Sequence, residues 1–263
     1  MPSFATSVGR KLLSMDMGAL IKGGLRRVGV SGLSNDAVRT QWVEQTLKQL
    51  PAGGRLLDAG CGEQQYRPLC SHLVYTGQDF AQYDGQGDGC ALQTGTWDQS
   101  KVEIISDIMS IPAPDQSFDA IMCTEVLEHV PDPAGVVVEL NRLLKTGGYL
   151  LLTAPFCSLS HFTPFHFSTG LSRYWYQKHL GDLGIEITEI EPNGNYFEYL
   201  AQELWRLPSV TKQWCNRAAF VALVVPLFLL TVPLILALSV LAKSGGKSSD
   251  LLCFGYHVLA RKK

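Results

Sequence analysis

Apolar and polar positions change period several times along the chain. Between Asp36 and Leu50, Val38, Trp42, Val43, Thr46, Leu47 and Leu50 recur at helical spacing, with Asn35 or Ser34 as a cap. This predicts an α-helix, closed by Pro51-Ala-Gly-Gly. Arg55–Ala59 reads as a short apolar strand running into Gly60-Cys61-Gly62, and Val74–Gln78 as a second strand ending at Asp79. Residues 81–99, rich in Gly, Asp and Gln, read as a loop. Val102–Ser106 is a third strand ending at Asp107, and Phe118–Cys123 a fourth. A helix over Pro133–Leu144 is stopped by Gly147-Gly148, and Tyr149–Thr153 is a fifth strand. A helix near Thr169–Leu183 leads to a sixth strand, Ile185–Ile190, and Cys253–Ala260 has a strand pattern again. Strands alternating with helices predict an α/β domain with a mostly parallel, doubly wound sheet covered on both faces. There is no internal repeat.

One segment breaks this alternation. Ala218–Ala242 holds 25 residues without a charge, flanked by Lys212 and Arg217 before and Lys243 and Lys247 after. A straight helix of that length is roughly 37 Å at 1.5 Å per residue, against a bilayer core of about 30 Å. Membrane contact is therefore expected. From Met1 to Val30 the charges are Arg10, Lys11, Lys22, Arg26 and Arg27 against Asp16, a basic stretch suited to an anionic membrane surface. The predicted organisation is a basic arm over 1–34, a core over 35–191, an insertion over 192–250 and a last core strand with a basic tail over 251–263.

Composition narrows the class. Of 263 residues, 46% are hydrophobic and only 17% charged, with a net charge of −2. That excludes a disordered or collagen-like chain and gives no support for nucleic-acid binding. Seven cysteines, odd in number and without a C-x-x-C pair, point to reduced, buried thiols rather than a disulfide or zinc scaffold. The first 30 residues lack the compact apolar stretch of a secretory signal.

The candidate chemistry sits at the strand ends, where open parallel sheets bind ligands. The first turn, Leu56-Leu57-Asp58-Ala59-Gly60-Cys61-Gly62, lets backbone approach a ligand closely, although Gln65 departs from the dinucleotide fingerprint. Asp79 ends the second strand, where a carboxylate can accept both hydroxyls of a ribose. Asp107 ends the third, where it can accept from an adenine amine.

L-L-D-A-G-C-G at 56–62, Y-T-G-Q-D at 75–79, S-D-I at 106–108, S-F-D-A-I-M-C-T-E-V-L-E-H-V-P-D-P at 117–133 and K-T-G-G-Y-L-L-L-T-A-P at 145–155 resemble the class I S-adenosylmethionine-dependent methyltransferases that act on small molecules. The resemblance runs in order from about 36 to 191. It implies a Rossmann-like sheet of seven strands, the last antiparallel and inserted between the fifth and sixth. It implies that Gly60, Cys61 and Gly62 line the methionine part of the cofactor, with Asp58 at its amino end, Asp79 at its ribose, Asp107 and Ile108 at its adenine, and Cys123 and Thr124 under the sulfonium. Glu63-Gln64-Gln65 departs from the small residues many members carry there.

The sulfonium is already an activated donor, so the protein's task is mainly alignment, with a base where the nucleophile is a hydroxyl. His129, His161 and His166 are the candidate bases. Glu125, Glu128 and His129 form E-x-x-E-H, similar to the metal site of ubiquinone-pathway O-methyltransferases and small-RNA 2′-O-methyltransferases, and His161 or His166 could complete it. Mixed oxygen and nitrogen ligands suit Mg²⁺, Mn²⁺ or Fe²⁺, but V-L-E-H also occurs in methyltransferases without a metal. The aromatic stretch at 161–176 suits an apolar or cyclic acceptor, or else packs a lid. The expected function is O-methylation of a membrane-held or lipid-linked molecule, such as a prenylated quinone precursor or a lipid-linked glycan. The alternatives are a non-catalytic cofactor-binding membrane partner and a methyltransferase of a soluble molecule. In the resembled fold the strand at 253–260 must pair beside the fifth, so one bilayer crossing by 218–242 would leave the sheet incomplete. The segment is therefore expected to enter and leave on one side, the alternative being a single span with residues 251–263 as a loose tail. Pro226 and Pro233 are expected to break it into a shallow hairpin or a kinked interfacial helix, in a monotopic protein with its core on the cytoplasmic side.

Overall fold

The computed structural model describes residues 35–214 and 225–263. The basic arm at 1–34 and the start of the uncharged segment, 218–224, lie outside the described residues. The described chain divides into two units, one formed by Asn35–Asn195 with Ser248–Lys263, the other by the helices of Tyr196–Lys247. The unit borders differ from 192 and 250 because the sixth strand runs on to Asn193.

The first unit is a seven-stranded sheet. Its elements are α1 (Asn35–Gln49), β1 (Arg55–Ala59), β2 (Val74–Asp79), β3 (Ile104–Ile105), β4 (Phe118–Thr124), α2 (Pro133–Leu143), β5 (Leu144–Pro155), α3 (Arg173–Asp182), β6 (Ile185–Asn193) and β7 (Gly255–Lys262). The strand order is β3-β2-β1-β4-β5-β7-β6. β1 to β5 pair in parallel, and β7 runs antiparallel between β5 and β6, matching Thr153 with His257 and Glu191 with His257 on its two sides. The chain thus has the Rossmann-like α/β sheet, with its last strand where the resemblance implies it.

Alternating strand residues fill two cores. Leu57, Ala59, Ile121, Cys123, Leu150 and Leu152 face α2 and α3, while Leu56, Met122 and Leu151 face α1 through Trp42, Val43 and Leu47. Period two on a sheet covered on both faces makes each strand a continuous apolar run, which is why the strands stood out in the sequence. Several boundaries move. β3 is only two residues long, an edge strand paired on one side. β5 begins at Leu144, directly after α2, because a register shift against β4 takes in the turn at Gly147-Gly148. α3 starts at Arg173, with Ser172 Oγ accepting the Trp175 N–H at 3.3 Å, so residues before it are loop. Asp132 likewise caps α2, accepting the Gly135 N–H at 2.9 Å.

The second unit contains α4 (Tyr196–Trp214) and α5 (Val225–Ser244), packed against each other through Ala201, Ile235 and Leu238 with Phe197, Leu200, Leu204 and Trp205 around them. The prolines do not break α5. Pro226 stands in the first turn, where its missing N–H has no intrahelical partner to lose, and the helix continues through Pro233. Among the described residues no helix is long and apolar enough to cross a membrane.

Candidate active site

After β1 the chain turns back over the end of β2. The N–H groups of Gly60 and Cys61 both donate to Gln78 O, at 2.8 and 2.9 Å, and Gly62 N–H donates to Asp79 Oδ2 at 2.9 Å. Glycine is required twice in this turn. Gly60 has φ +75°, and a Cβ there would sit 2.4 Å from Val126 Cγ2; Gly62 has φ +50°, and a Cβ would meet the Trp97 ring at 2.6 Å. Asp79 Oδ1 also accepts from Ala81 N–H at 3.0 Å and from Gln99 Nε2 at 2.7 Å.

Asp58 sits on the α1 side of β1, buried, with Tyr75 Oη donating to its Oδ2 at 2.6 Å. Its Oδ1 has no partner. Burial pushes this carboxyl up to about 7, against the opposing hydrogen bond from Tyr75 and with a further push from Asp79 and Glu103. A buried, unsatisfied acceptor at a strand end suits an ammonium group. Together with the two glycines and Asp79, it fits the methionine and ribose ends of the cofactor that the resemblance implies. Cys123, buried, and Thr124, half-buried, end β4. Asp107 is exposed beyond β3 and accepts Met109 N–H at 2.8 Å, while the neighbouring Ile108 is part of the core. Tyr75→Phe should leave both Asp58 oxygens unpartnered and lower stability by about 1–3 kcal/mol in urea titration; an unchanged midpoint would show the contact to be idle.

The E-x-x-E-H residues separate. Glu125 has φ +56° and turns away from the other two. Its Oε1 accepts from Thr153 Oγ1 at 2.9 Å and its Oε2 from Arg39 Nη1 at 2.9 Å. Glu128 and His129 lie in a short 3₁₀ turn, Leu127–His129. Glu128 is fully buried and neither carboxylate oxygen has a hydrogen-bond partner. Its Oε1 lies 3.6 Å from His129 Nε2 and 4.0 Å from His161 Nε2.

Around it the three candidate histidines come together: one donor nitrogen from each of His129, His161 and His166 lies within 4.8 Å of the others. His129 Nδ1 is 2.6 Å from Phe165 O and His161 Nδ1 is 2.8 Å from Leu159 O. A carbonyl can only accept, so both Nδ1 atoms carry a proton, which leaves Nε2 of each ring as the nitrogen nearest Glu128. Burial, and then the neighbouring His161, lower His129 to about 4; the same two causes lower His166. Neutral imidazoles with their second nitrogen tied to backbone are in the form that ligates a divalent cation or takes a proton.

Two loops hold this cluster. Leu92 bridges to His161, with Phe162 N–H donating to Leu92 O at 3.0 Å and Leu92 N–H to Ser160 O at 3.2 Å. Thr163 Oγ1 donates to Asp88 Oδ1 at 2.6 Å. Phe162 stacks on His129 at 5.1 Å and on Tyr83 at 4.6 Å, and meets Trp97 edge-on at 5.3 Å. Phe80 meets Phe165 edge-on at 4.9 Å, whereas Phe167 is exposed. The rings thus run without a gap from the Gly62 turn to the imidazoles.

Arg39 was not among the expected site residues. It is held against Glu125, with its Nε buried and unpartnered. Val38, placed on the apolar stripe by the sequence, is 45% exposed. The phase 39, 42, 43, 46, 47 fits the buried face better and would have shown a cation on it. Tyr176 was missed too: its hydroxyl is fully buried without a hydrogen-bond partner, and burial followed by Glu128 holds its proton on.

The sequence profile of the methyltransferase-domain family matches residues 35–216. Related proteins include a ubiquinone biosynthesis O-methyltransferase of Xanthomonas axonopodis pv. citri, 34% identical over 122 residues, which are 44% of this chain and 48% of that protein. Another, from Paracidovorax citrulli, is 36% identical over 104 residues, 38% of this chain and 43% of that one. The chain thus spans less than half the length of either relative. Among solved structures, YcgJ of Bacillus subtilis has the same fold at 16% identity and a TM-score of 0.50, covering 85% of this chain and 97% of that chain.

Proposed function

The chain belongs to the methyltransferase-domain family, the class I S-adenosylmethionine-dependent enzymes, and on that premise we propose that it O-methylates an apolar, ring-bearing hydroxyl compound held at a membrane surface. The observation that carries this reading is the buried Glu128 facing the Nε2 atoms of His129 and His161 beneath an aromatic lid. A hydroxyl needs a proton acceptor to become a competent nucleophile, and this cluster is built to be one. Ring stacking over His129 favours a flat acceptor. The names of the ubiquinone-biosynthesis relatives agree with O-methylation.

When bound, S-adenosylmethionine supplies an activated methyl group. Asp58 Oδ1 accepts its ammonium, and Arg39, the buried cation beside Glu125, takes its carboxylate. Asp79 accepts the ribose hydroxyls in place of the Gln99 amide, and Asp107 and Ile108 border the adenine. Cys123 and Thr124 line the side from which the acceptor approaches. Glu128 helps to hold the acceptor hydroxyl, and His129 Nε2 takes its proton.

His129, His161 and His166 also form a donor set for one divalent cation, with Glu128 beside two of them, and such an ion would acidify the acceptor hydroxyl. Three imidazoles and one carboxylate favour Mn²⁺, Fe²⁺ or Zn²⁺ over Mg²⁺, which prefers oxygen ligands. Glu125, committed to Arg39 and Thr153, is not part of this set. Labelled-methyl transfer into a total membrane extract, with identification of the product, tests the function; absence of any labelled ether would refute it. Chelation should cut that transfer at least tenfold, with recovery on Mn²⁺ but not on Mg²⁺. Full activity in excess chelator would remove the metal and leave the imidazoles as bases. The cations flanking the uncharged segment support placing the core on the cytoplasmic side.

A further inference from the structure

We propose that the α4–α5 hairpin docks in the plane of an anionic lipid monolayer through the outer face of α5, an inference that rests on the reading of a membrane-held acceptor. α5 is inside out. Its inward positions include the hydroxyl residues Thr231 and Ser239 beside Ile235, Leu238 and Ala242, all buried. Ser239 Oγ donates to Ile235 O at 2.8 Å, so its hydroxyl is satisfied within the helix. The outward positions are Leu234, Leu236, Ala237, Val240 and Leu241, and Val240 is 68% exposed. A helix bathed in water places its hydroxyls outside and its leucines inside. An outer face of exposed leucine and valine, with the hydroxyls turned inward, matches an apolar surrounding.

Charge selects the occupant. Between Glu203 and Asp250 the sequence has no acidic residue, but it has Arg206, Lys212, Arg217, Lys243 and Lys247. Lys243 and Lys247 are exposed at and just beyond the end of α5. Cations bordering an apolar face match anionic headgroups above acyl chains. A second copy of the chain would bring the same cations against each other. No described helix is long and apolar enough to cross a membrane, which fits a helix lying along the surface.

The test is sedimentation of the full chain with vesicles of phosphatidylcholine and phosphatidylglycerol at three to one, and with phosphatidylcholine alone. Wild type should bind the anionic vesicles at least tenfold more tightly. The double variant Leu236→Glu, Val240→Glu alters exposed positions only, and should lose binding to both. Lys243→Glu with Lys247→Glu should lose the preference for anionic lipid. Calorimetry with S-adenosylmethionine in vesicle-free buffer should be unchanged in all of them, so failure of docking is distinguishable from failure of the methyltransferase reading. Wild type that ignores vesicles, or dimerises through this face by analytical ultracentrifugation, would overturn the proposal, as would a double variant that still binds.

Discussion

Glu128→Gln should unfold at higher urea than wild type in chelator and yet transfer methyl groups at least ~10²-fold more slowly. Both effects come from one feature. The carboxyl is fully buried and neither oxygen is hydrogen-bonded. Burial, followed by the nearby Glu125, drives its pKa well above the usual carboxylate range, with Arg39 only partly opposing. A buried, uncompensated acid is costly to keep, and a neutral amide of the same shape costs less, so stability should rise by about 1–3 kcal/mol. Addition of Mn²⁺ gives the second arm. Wild type should be stabilised by RT ln(1 + c/Kd) at ion concentration c, rising with the logarithm of c once it exceeds Kd, and the variant should not. Affinity for S-adenosylmethionine should stay the same in both. A variant that is less stable in chelator, or one that keeps its rate, would contradict the assignment of Glu128.

The sheet was readable from the sequence for a physical reason. Strands covered on both faces are apolar throughout, so β1, β4 and β5 show as short hydrophobic runs ending in polar residues. The position of β7 came from the resemblance, since an antiparallel strand 62 residues after β6 (Asn193 to Gly255) carries no local signal of its partner. The site was readable in its residue types but not in its grouping. E-x-x-E-H spacing put Glu125 and Glu128 on one cation, whereas a left-handed backbone at Glu125 sends its side chain to Arg39 and Thr153. His161 and His166 were candidates, yet it is the bridge of Leu92 to His161 and the carbonyls of Leu159 and Phe165 that fix the geometry of the imidazoles. The bridge joins loops about 70 residues apart and the Phe165 contact spans 36, which no local period records. Arg39 was hidden by a phase error of one residue on α1, since Val38 and Arg39 both fit a helical stripe until the buried face is known.

Binding of S-adenosylmethionine below pH 7 should expel a proton, and Asp58→Asn should abolish that release while weakening binding by roughly 10- to 100-fold, the loss of one charge-assisted hydrogen bond of about 1.5–3 kcal/mol. The sign follows from burial. In the unliganded fold Asp58 sits at about 7, pushed up by desolvation first and by Asp79 and Glu103 after it, with Tyr75 pulling the other way. In the unfolded chain an aspartate titrates near ~3.9. Between those values the folded state holds one more proton, so this group's contribution to stability is complete below about pH 4 and is lost as pH rises to 7. An ammonium beside Oδ1 reverses the preference, because it favours the carboxylate and draws the pKa down. Affinity should therefore climb with pH, by up to about tenfold per unit, and level off above pH 7. The ligand's own α-amino group titrates near ~7.7–8.0 and stays charged through this window. Calorimetry at pH 6 in two buffers of different ionisation enthalpy reads the proton directly, because the apparent heats differ only where a proton is exchanged. Equal heats for wild type, or unequal heats that persist in Asp58→Asn, would move the ammonium site away from Asp58.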